Sequence, residues 1–156
     1  MTQKEFVSYF QEDLFIPNLE ANSKAAALEE IVAHLVARQR IRNGMTVLEA
    51  LKKRESLGST GIGKTLAIPH GRTTVTNRLT VVFARSDEGI PWDSIDHKPA
   101  HFIFLILAPH QERSNHYLPL LGKIVEFGRD AAVRKKLLKV GSYSDFLGVL
   151  EMAAAR

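Results

Sequence analysis

At 156 residues, 45% of them hydrophobic and 24% charged, the chain can build one domain with a sizeable core, and its composition is not that of a disordered protein. It has no cysteine, which excludes disulfides, thiolate chemistry and cysteine-zinc centres and fits a cytoplasmic setting. A formal net charge of +4, from 21 basic and 17 acidic residues, is too mild to point to nucleic acid.

The opening stretch MTQKEFVSYFQEDLF mixes acids and polar residues with its apolar ones, so it does not read as a signal peptide. LFIPNL (14–19) reads as a short apolar strand punctuated by Pro17. Ser23 is the expected N-cap of a helix reaching about Arg40, with Ala27, Leu28, Ile31, Val32, Leu35 and Val36 on one face. Asn43-Gly44 is expected to end it. Thr46 and Glu49 form a capping-box pattern that starts a second helix through VLEALKKRES, with Val47, Leu48 and Leu51 as its buried side.

Gly58, Gly61 and Gly63 exclude a stable helix and mark a loop with unusual backbone angles. TLAIP reads as a short strand ending at Pro69, and LTVVFARS (79–86) as a clearer one. DEGIPWDSIDHKP is a turn-rich connection. HFIFLILAP (101–109) contains the longest apolar run; it is too short to span a bilayer and reads as a central strand buried on both faces. Beyond it, Leu118, Leu121, Ile124, Val125 and Phe127 have helical spacing, a further helix runs from Asp130 to Val140, and a last one follows Ser142 or Ser144. No repeat, linker or low-complexity stretch divides the chain. Helices alternating with strands give an α/β sandwich; the strand order stays open, mixed pairing included. The basic clusters Lys52-Lys53-Arg54 and Arg134-Lys135-Lys136 with Lys139 lack interleaved aromatics and read as solvated helix faces.

GSTGIGKT, from Gly58 to Thr65, satisfies the phosphate-loop pattern G-x-x-x-x-G-K-[ST]. That loop works only between a buried strand and a helix whose N-terminal amides face the phosphates. Here a basic segment, already read as helical, precedes it, and Pro69 and Gly71 fall where the following helix is required. No acid closes a hydrophobic strand to help hold magnesium: Asp87 follows VVFARS only loosely. Nucleotide binding therefore fails on both flanks.

His70 stands between Pro69 and Gly71, so proline fixes the approach of the chain and glycine lets it turn beside the ring. Such a histidine is presented at a sheet edge. Arg54, just before the glycine loop, and His116, near the start of the helix after the long strand, are candidates to join it. Taken singly, each has a bland reading: a structural histidine, a solvated arginine, a capping histidine. Together they are chemically coherent, because neutral imidazole is a nucleophile near pH 7 and phosphoryl transfer needs cationic donors around the phosphoryl oxygens. Zinc binding through His70, His110 and His116 lacks HxxxH or HExxH spacing. No carboxylate pair for acid–base hydrolysis is evident, and Ser56 and Ser59 sit in no nucleophile elbow. His34, His97 and His101 have no motif around them.

ESLGSTGIGKTLAIPHGR (55–72) closely resembles the signature around the phosphorylated histidine of the fructose/mannitol-type (type 2) enzyme IIA domains of the bacterial phosphoenolpyruvate-dependent phosphotransferase system. NHYLPLLGKI (115–124) resembles that family's second histidine segment, with Tyr117 replacing the usual leucine. LFIPNLEANSKAAALEEIVAHL resembles its opening strand and helix, so the likeness spans nearly the whole chain, and IPNLEANSK is most similar to the nitrogen-regulatory branch. The resemblance implies one domain over 1–156, folded as a three-layer sandwich with a central mixed β-sheet and helices on both faces. It implies that His70 accepts a phosphoryl group on Nε2 from a histidine-containing phosphocarrier protein, with Arg54 and His116 steadying the oxygens, and that no cofactor or metal is required. Lys64 and Thr65 then become ordinary loop residues. The phosphoryl group is passed on, to a IIB domain of a fructose- or mannitol-type sugar transporter, or is read as a signal by regulatory targets such as potassium-transport proteins. With no membrane-spanning or IIB segment in the sequence, regulation is the expected role. An apolar rim around His70 is expected for docking.

Overall fold

The computed structural model describes residues 1–154. Its elements are α1 (Gln3–Ser8), a 3-10 turn (Glu12–Leu14), β1 (Phe15–Ile16), α2 (Lys24–Ala37), α3 (Gly44–Ser56), β2 (Gly61–Gly63), β3 (Leu66–Ala67), β4 (His70–Thr73), β5 (Thr80–Ile90), β6 (Ala100–Pro109), α4 (Tyr117–Arg129), α5 (Ala131–Leu137) and α6 (Tyr143–Ala154).

The apolar run of β6 is the middle of a mixed six-stranded sheet. Antiparallel β5 lies along one side of it, with β1 parallel beyond. Parallel β3 and β4 share its other side, and β2 pairs antiparallel with β3. Phe102, Phe104, Ile106 and Ala108 of β6 enter a core covered by α1, α4, α5 and α6. Ala100, Ile103, Leu105 and Leu107 enter a second core beneath α2 and α3. Alternate side chains of a strand leave opposite faces, so a strand with helices on both sides must be apolar throughout. The expected three-layer sandwich is the architecture found. Each fully buried large side chain, such as Leu28, Ile31, Phe104 or Phe146, stabilises it by about 1.5–3 kcal/mol.

Residues 3–8, to which the sequence reading assigns no element, form a helix opened by a capping box in which Thr2 and Glu5 exchange hydrogen bonds. Several local expectations are corrected. Only Phe15 and Ile16 of the 14–19 stretch pair as a strand. Ser23 caps α2 as expected, its hydroxyl accepting from the Ala26 amide, but Val36 is 41% exposed and the helix stops at Ala37, with Gln39 left-handed at φ 58°. Asn43 does not end that helix; its side chain accepts from the Thr46 amide and opens α3, so the Thr46–Glu49 box is not the cap. On α4 the buried position is Leu120, while Leu118 points out. Beyond Ser86, β5 continues through a register shift to Ile90. Asp130 caps α5, and the Ser142 hydroxyl accepts from the Asp145 amide at the start of α6.

The proline before His70 interrupts its strand without ending it. Leu66 pairs with Phe102 and His70 with Ile106, the same offset on both sides of Pro69. Proline has no amide to give to the ladder, although its carbonyl accepts from the Ile106 amide at 2.9 Å. The chain runs straight on to Thr73, so His70 opens a strand rather than closing one. Gly71 has no positive φ, and a β-carbon there would meet Leu51 and Ala50 at ordinary contact distances of 3.8–3.9 Å. No sharp turn occurs beside the ring.

Candidate active site

Between α3 and β3 the glycine stretch folds into a hairpin. Gly63 pairs with Leu66, so Lys64 and Thr65 are its two central residues, and both are left-handed, at φ 55° and 64°. That is the backbone of a type I′ hairpin turn. A phosphate loop instead continues into a helix, and none starts here. The Lys64 amide donates to an Asp96 carboxylate oxygen at 2.8 Å. Gly63 has φ 89°, and a β-carbon at Gly61 would collide with the Ser94 hydroxyl. These glycines therefore fold the hairpin tightly against the 92–96 segment.

The base of the hairpin is anchored by a polar chain. The Trp92 indole N–H donates to the Thr60 hydroxyl at 3.0 Å, that hydroxyl donates to Glu55, and Glu55 pairs with Lys24 at 3.0 Å. One helical position before Glu55, Arg54 extends from the last turn of α3 and donates from Nη1 to the Gly58 carbonyl at 2.9 Å.

His70 is half-buried on the exposed side of β4, and its Nδ1 lies 2.8 Å from the Ile68 carbonyl oxygen. A carbonyl can only accept, so Nδ1 carries the proton and donates it. In the neutral ring the lone pair is then on Nε2. Arg72 shares this face of β4, because residues two apart in a strand point the same way. Tyr117, in the first turn of α4, joins the two: its ring plane stands at 74° to that of His70 with 6.4 Å between centres, and the Arg72 guanidinium carbon sits 4.9 Å from its centre. Burial pushes the Tyr117 hydroxyl above its ordinary pKa, while the charges of Arg72 and Arg54 oppose that rise. Both cations thus act on one ring beside His70.

His116 is next to this ring in sequence, at the cap position of α4. Its imidazole has two partners near the N-terminal helix. Nδ1 lies 2.7 Å from the Tyr9 hydroxyl and Nε2 lies 3.9 Å from a Glu5 carboxylate oxygen. Among the described residues no ring contact joins His116 to His70. Glu5 of α1 and Tyr9, which caps it, thus bring an acid and a hydroxyl to the two ring nitrogens. Thr2 backbone hydrogen bonding, aided by the His116 charge, holds the Glu5 carboxyl below its ordinary value. The sequence groups His70, Arg54 and His116 as one candidate site; Arg54 acts on the Tyr117 ring that neighbours His70, His116 bonds Tyr9, and neither Arg72 nor Tyr9 is among the candidates. Strand alternation from His70 could have found Arg72. Nothing local could have found Tyr9, which lies 107 positions from its partner.

The family model for the phosphoenolpyruvate-dependent sugar phosphotransferase system, EIIA 2, matches residues 8–153. A nitrogen regulatory protein of Bradyrhizobium diazoefficiens is 38% identical over 125 residues, 80% of each chain. A fructose-specific EIIA component of Haloferax volcanii is 36% identical over 128 residues, 82% of each chain. The crystal structure of nitrogen regulatory protein IIA-Ntr from Neisseria meningitidis superposes with a TM-score of 0.85 at 30% identity, covering 94% of this chain and 99% of that one. With the family model spanning nearly all of it and the same sandwich underneath, the chain belongs to the type-2 enzyme IIA family of the phosphotransferase system and has that family's phosphocarrier role.

Proposed function

We propose that residues 1–156 act as a single cytoplasmic IIA domain in which His70 Nε2 accepts a phosphoryl group from a histidine-containing phosphocarrier protein. The observation that carries this reading is the Nδ1–H hydrogen bond to the Ile68 carbonyl, which leaves Nε2 as the nucleophile at a sheet edge. In the step, the Nε2 lone pair forms a bond to phosphorus while the donor's phosphorus–nitrogen bond breaks. That electron pair returns to the donor ring, which leaves as neutral imidazole. His70 becomes a phosphoimidazolium, and its Nδ1 keeps its proton on the Ile68 carbonyl. Arg54 offers a fork of donors to the phosphoryl oxygens. His116, whose Nδ1 meets the Tyr9 hydroxyl, is the further stabilising group for the phosphoryl oxygens.

Exposed Leu57, three residues after Arg54, and exposed Leu118, next to Tyr117, supply an apolar rim for the donor. The phosphoryl group then passes to a IIB domain, or its presence on His70 signals to regulatory targets such as potassium-transport proteins. Similarity to two nitrogen regulatory proteins favours the regulatory role over sugar transport. Among the described residues, no helix is long and apolar enough to cross a membrane. The test is incubation with phosphoenolpyruvate, enzyme I and the phosphocarrier, followed by mass spectrometry under alkaline conditions. His70 takes the phosphate and His70→Ala takes none; label persisting in that variant refutes the assignment.

A further inference from the structure

Arg72 is a cation without an acid. Among the described residues it makes no ion pair, its only polar contact is a long 3.3 Å hydrogen bond to the Pro109 carbonyl, and it is exposed. An arginine in that state is commonly just solvated. This one lies over the Tyr117 ring, 4.9 Å from its centre, and the same ring lies 6.4 Å, centre to centre, from His70. A cation–π contact of this kind restrains a guanidinium and still leaves N–H groups to donate. Strand geometry does the rest: Arg72 and His70 leave the same face of β4 two residues apart, and β4 is fixed to β6 through four paired residues. The hydroxyl of His116's neighbour is not required for this; the aromatic face is.

We propose, building on the assignment of His70, that Arg72 is a further catalytic residue. Its guanidinium binds an oxygen of the phosphoryl group in transit to and from His70 Nε2, with Tyr117 as the positioning residue that holds it there. The transferring group carries its charge on equatorial oxygens, and two arginines on different elements can engage different oxygens. Arg54 approaches from α3, on one layer of the sandwich, and Arg72 from β4, beneath α4. This arrangement gives a stabilising cation at His70 even while His116 is bonded to Tyr9.

The test is rapid-quench transfer from the phosphorylated phosphocarrier protein to this chain, over a range of donor concentrations. Arg72→Gln lowers the maximal transfer rate by about 10- to 100-fold, on the scale of losing one preorganised donor. Arg72→Lys falls between the two, because lysine keeps the charge but not the planar fork. Tyr117→Leu slows transfer through misplacement of Arg72, and Tyr117→Phe restores most of that loss because the ring returns. An Arg72→Gln rate equal to the parent overturns the proposal, as does a loss confined to the donor concentration needed for half-maximal rate, which would mark a docking residue. Failure of Tyr117→Phe to recover beyond Tyr117→Leu overturns the platform role. His70→Ala run alongside separates the two levels: if it accepts nothing while Arg72→Gln behaves as the parent, only the Arg72 proposal falls.

Discussion

Removing Lys24 tests whether the polar chain under the glycine hairpin holds the site. The Glu55 side chain is 7% exposed and faces Lys24, itself 19% exposed, at 3.0 Å. Breaking a fully buried pair by deleting one partner costs about 3–5 kcal/mol, because the other charge is left uncompensated. Two features lower the figure here: Lys24 is partly open to water, and Glu55 still accepts from the Thr60 amide and hydroxyl. The expectation for Lys24→Met is a loss of about 2–3 kcal/mol. For a chain of this length that lowers Tm by roughly 5–10 °C in calorimetry. Lys52→Met, which removes the exposed 3.5 Å pair with Glu29, is the control and changes stability by less than about 0.5 kcal/mol. In the double variant Lys24→Met/Glu55→Gln the stranded charge is gone, so part of the loss is recovered and a double-mutant cycle gives a coupling above about 1 kcal/mol. Because Glu55 anchors Thr60, and Arg54 bonds Gly58 in the same loop, phosphoryl transfer slows as well. Equal losses for Lys24→Met and Lys52→Met, or additivity in the cycle, would refute the reasoning.

Thr65 is β-branched and left-handed at φ 64°, so Thr65→Gly relieves strain and stabilises the protein by about 1 kcal/mol in urea unfolding, while Lys64→Ala leaves phosphoryl transfer nearly intact. Loss of transfer in a folded Lys64→Ala protein would restore a role for that lysine. The side-chain hydrogen bond from Arg40 holds the Asp13 carboxyl below its ordinary pKa, with Arg40 Nε at 2.8 Å. A carboxyl lowered in the folded state stabilises above its unfolded pKa and loses that contribution as pH falls through the folded one. Asp13→Asn therefore costs up to about 1 kcal/mol at pH 7, discounted for partial exposure, and the difference from the parent vanishes in acid; a pH-independent difference would exclude the ion pair as its cause. Arg54→Ala slows transfer by about 10- to 100-fold and leaves Tm within a few degrees, since among the described residues the side chain's one hydrogen bond is to the Gly58 carbonyl. An unchanged rate removes Arg54 from the site.

Much of the fold could be read from single residues because burial leaves a local trace. β6 had to be central because no polar residue interrupts its apolar run, and Ser23 had to cap because its hydroxyl meets an amide three residues on. The errors lie where two local signals were equally good. Asn43-Gly44 fits a helix end as well as a helix start, and only the packing of Gly44 against Val32 and Val36 decides for the start. Likewise Leu118 and Leu120 both suit a helix, and it is the sheet beneath α4 that selects Leu120.

The stretch 58–72 divides in the same way. By itself the sequence determined that Gly58–Thr65 cannot lead into a helix, because a proline and its neighbours restrict the backbone locally, whereas the choice of His70 rests on the likeness of residues 55–72 to the family signature. It also determined the layered α/β class, through the periodicity of its apolar residues. Tertiary structure alone decided how the site is furnished. The Ile68 carbonyl accepts from Nδ1 of His70, Tyr117 lies against both Arg72 and His70, and the Tyr9 hydroxyl meets Nδ1 of His116. Those outcomes depend on distances between elements far apart in the chain, which are set by how two cores pack against one sheet.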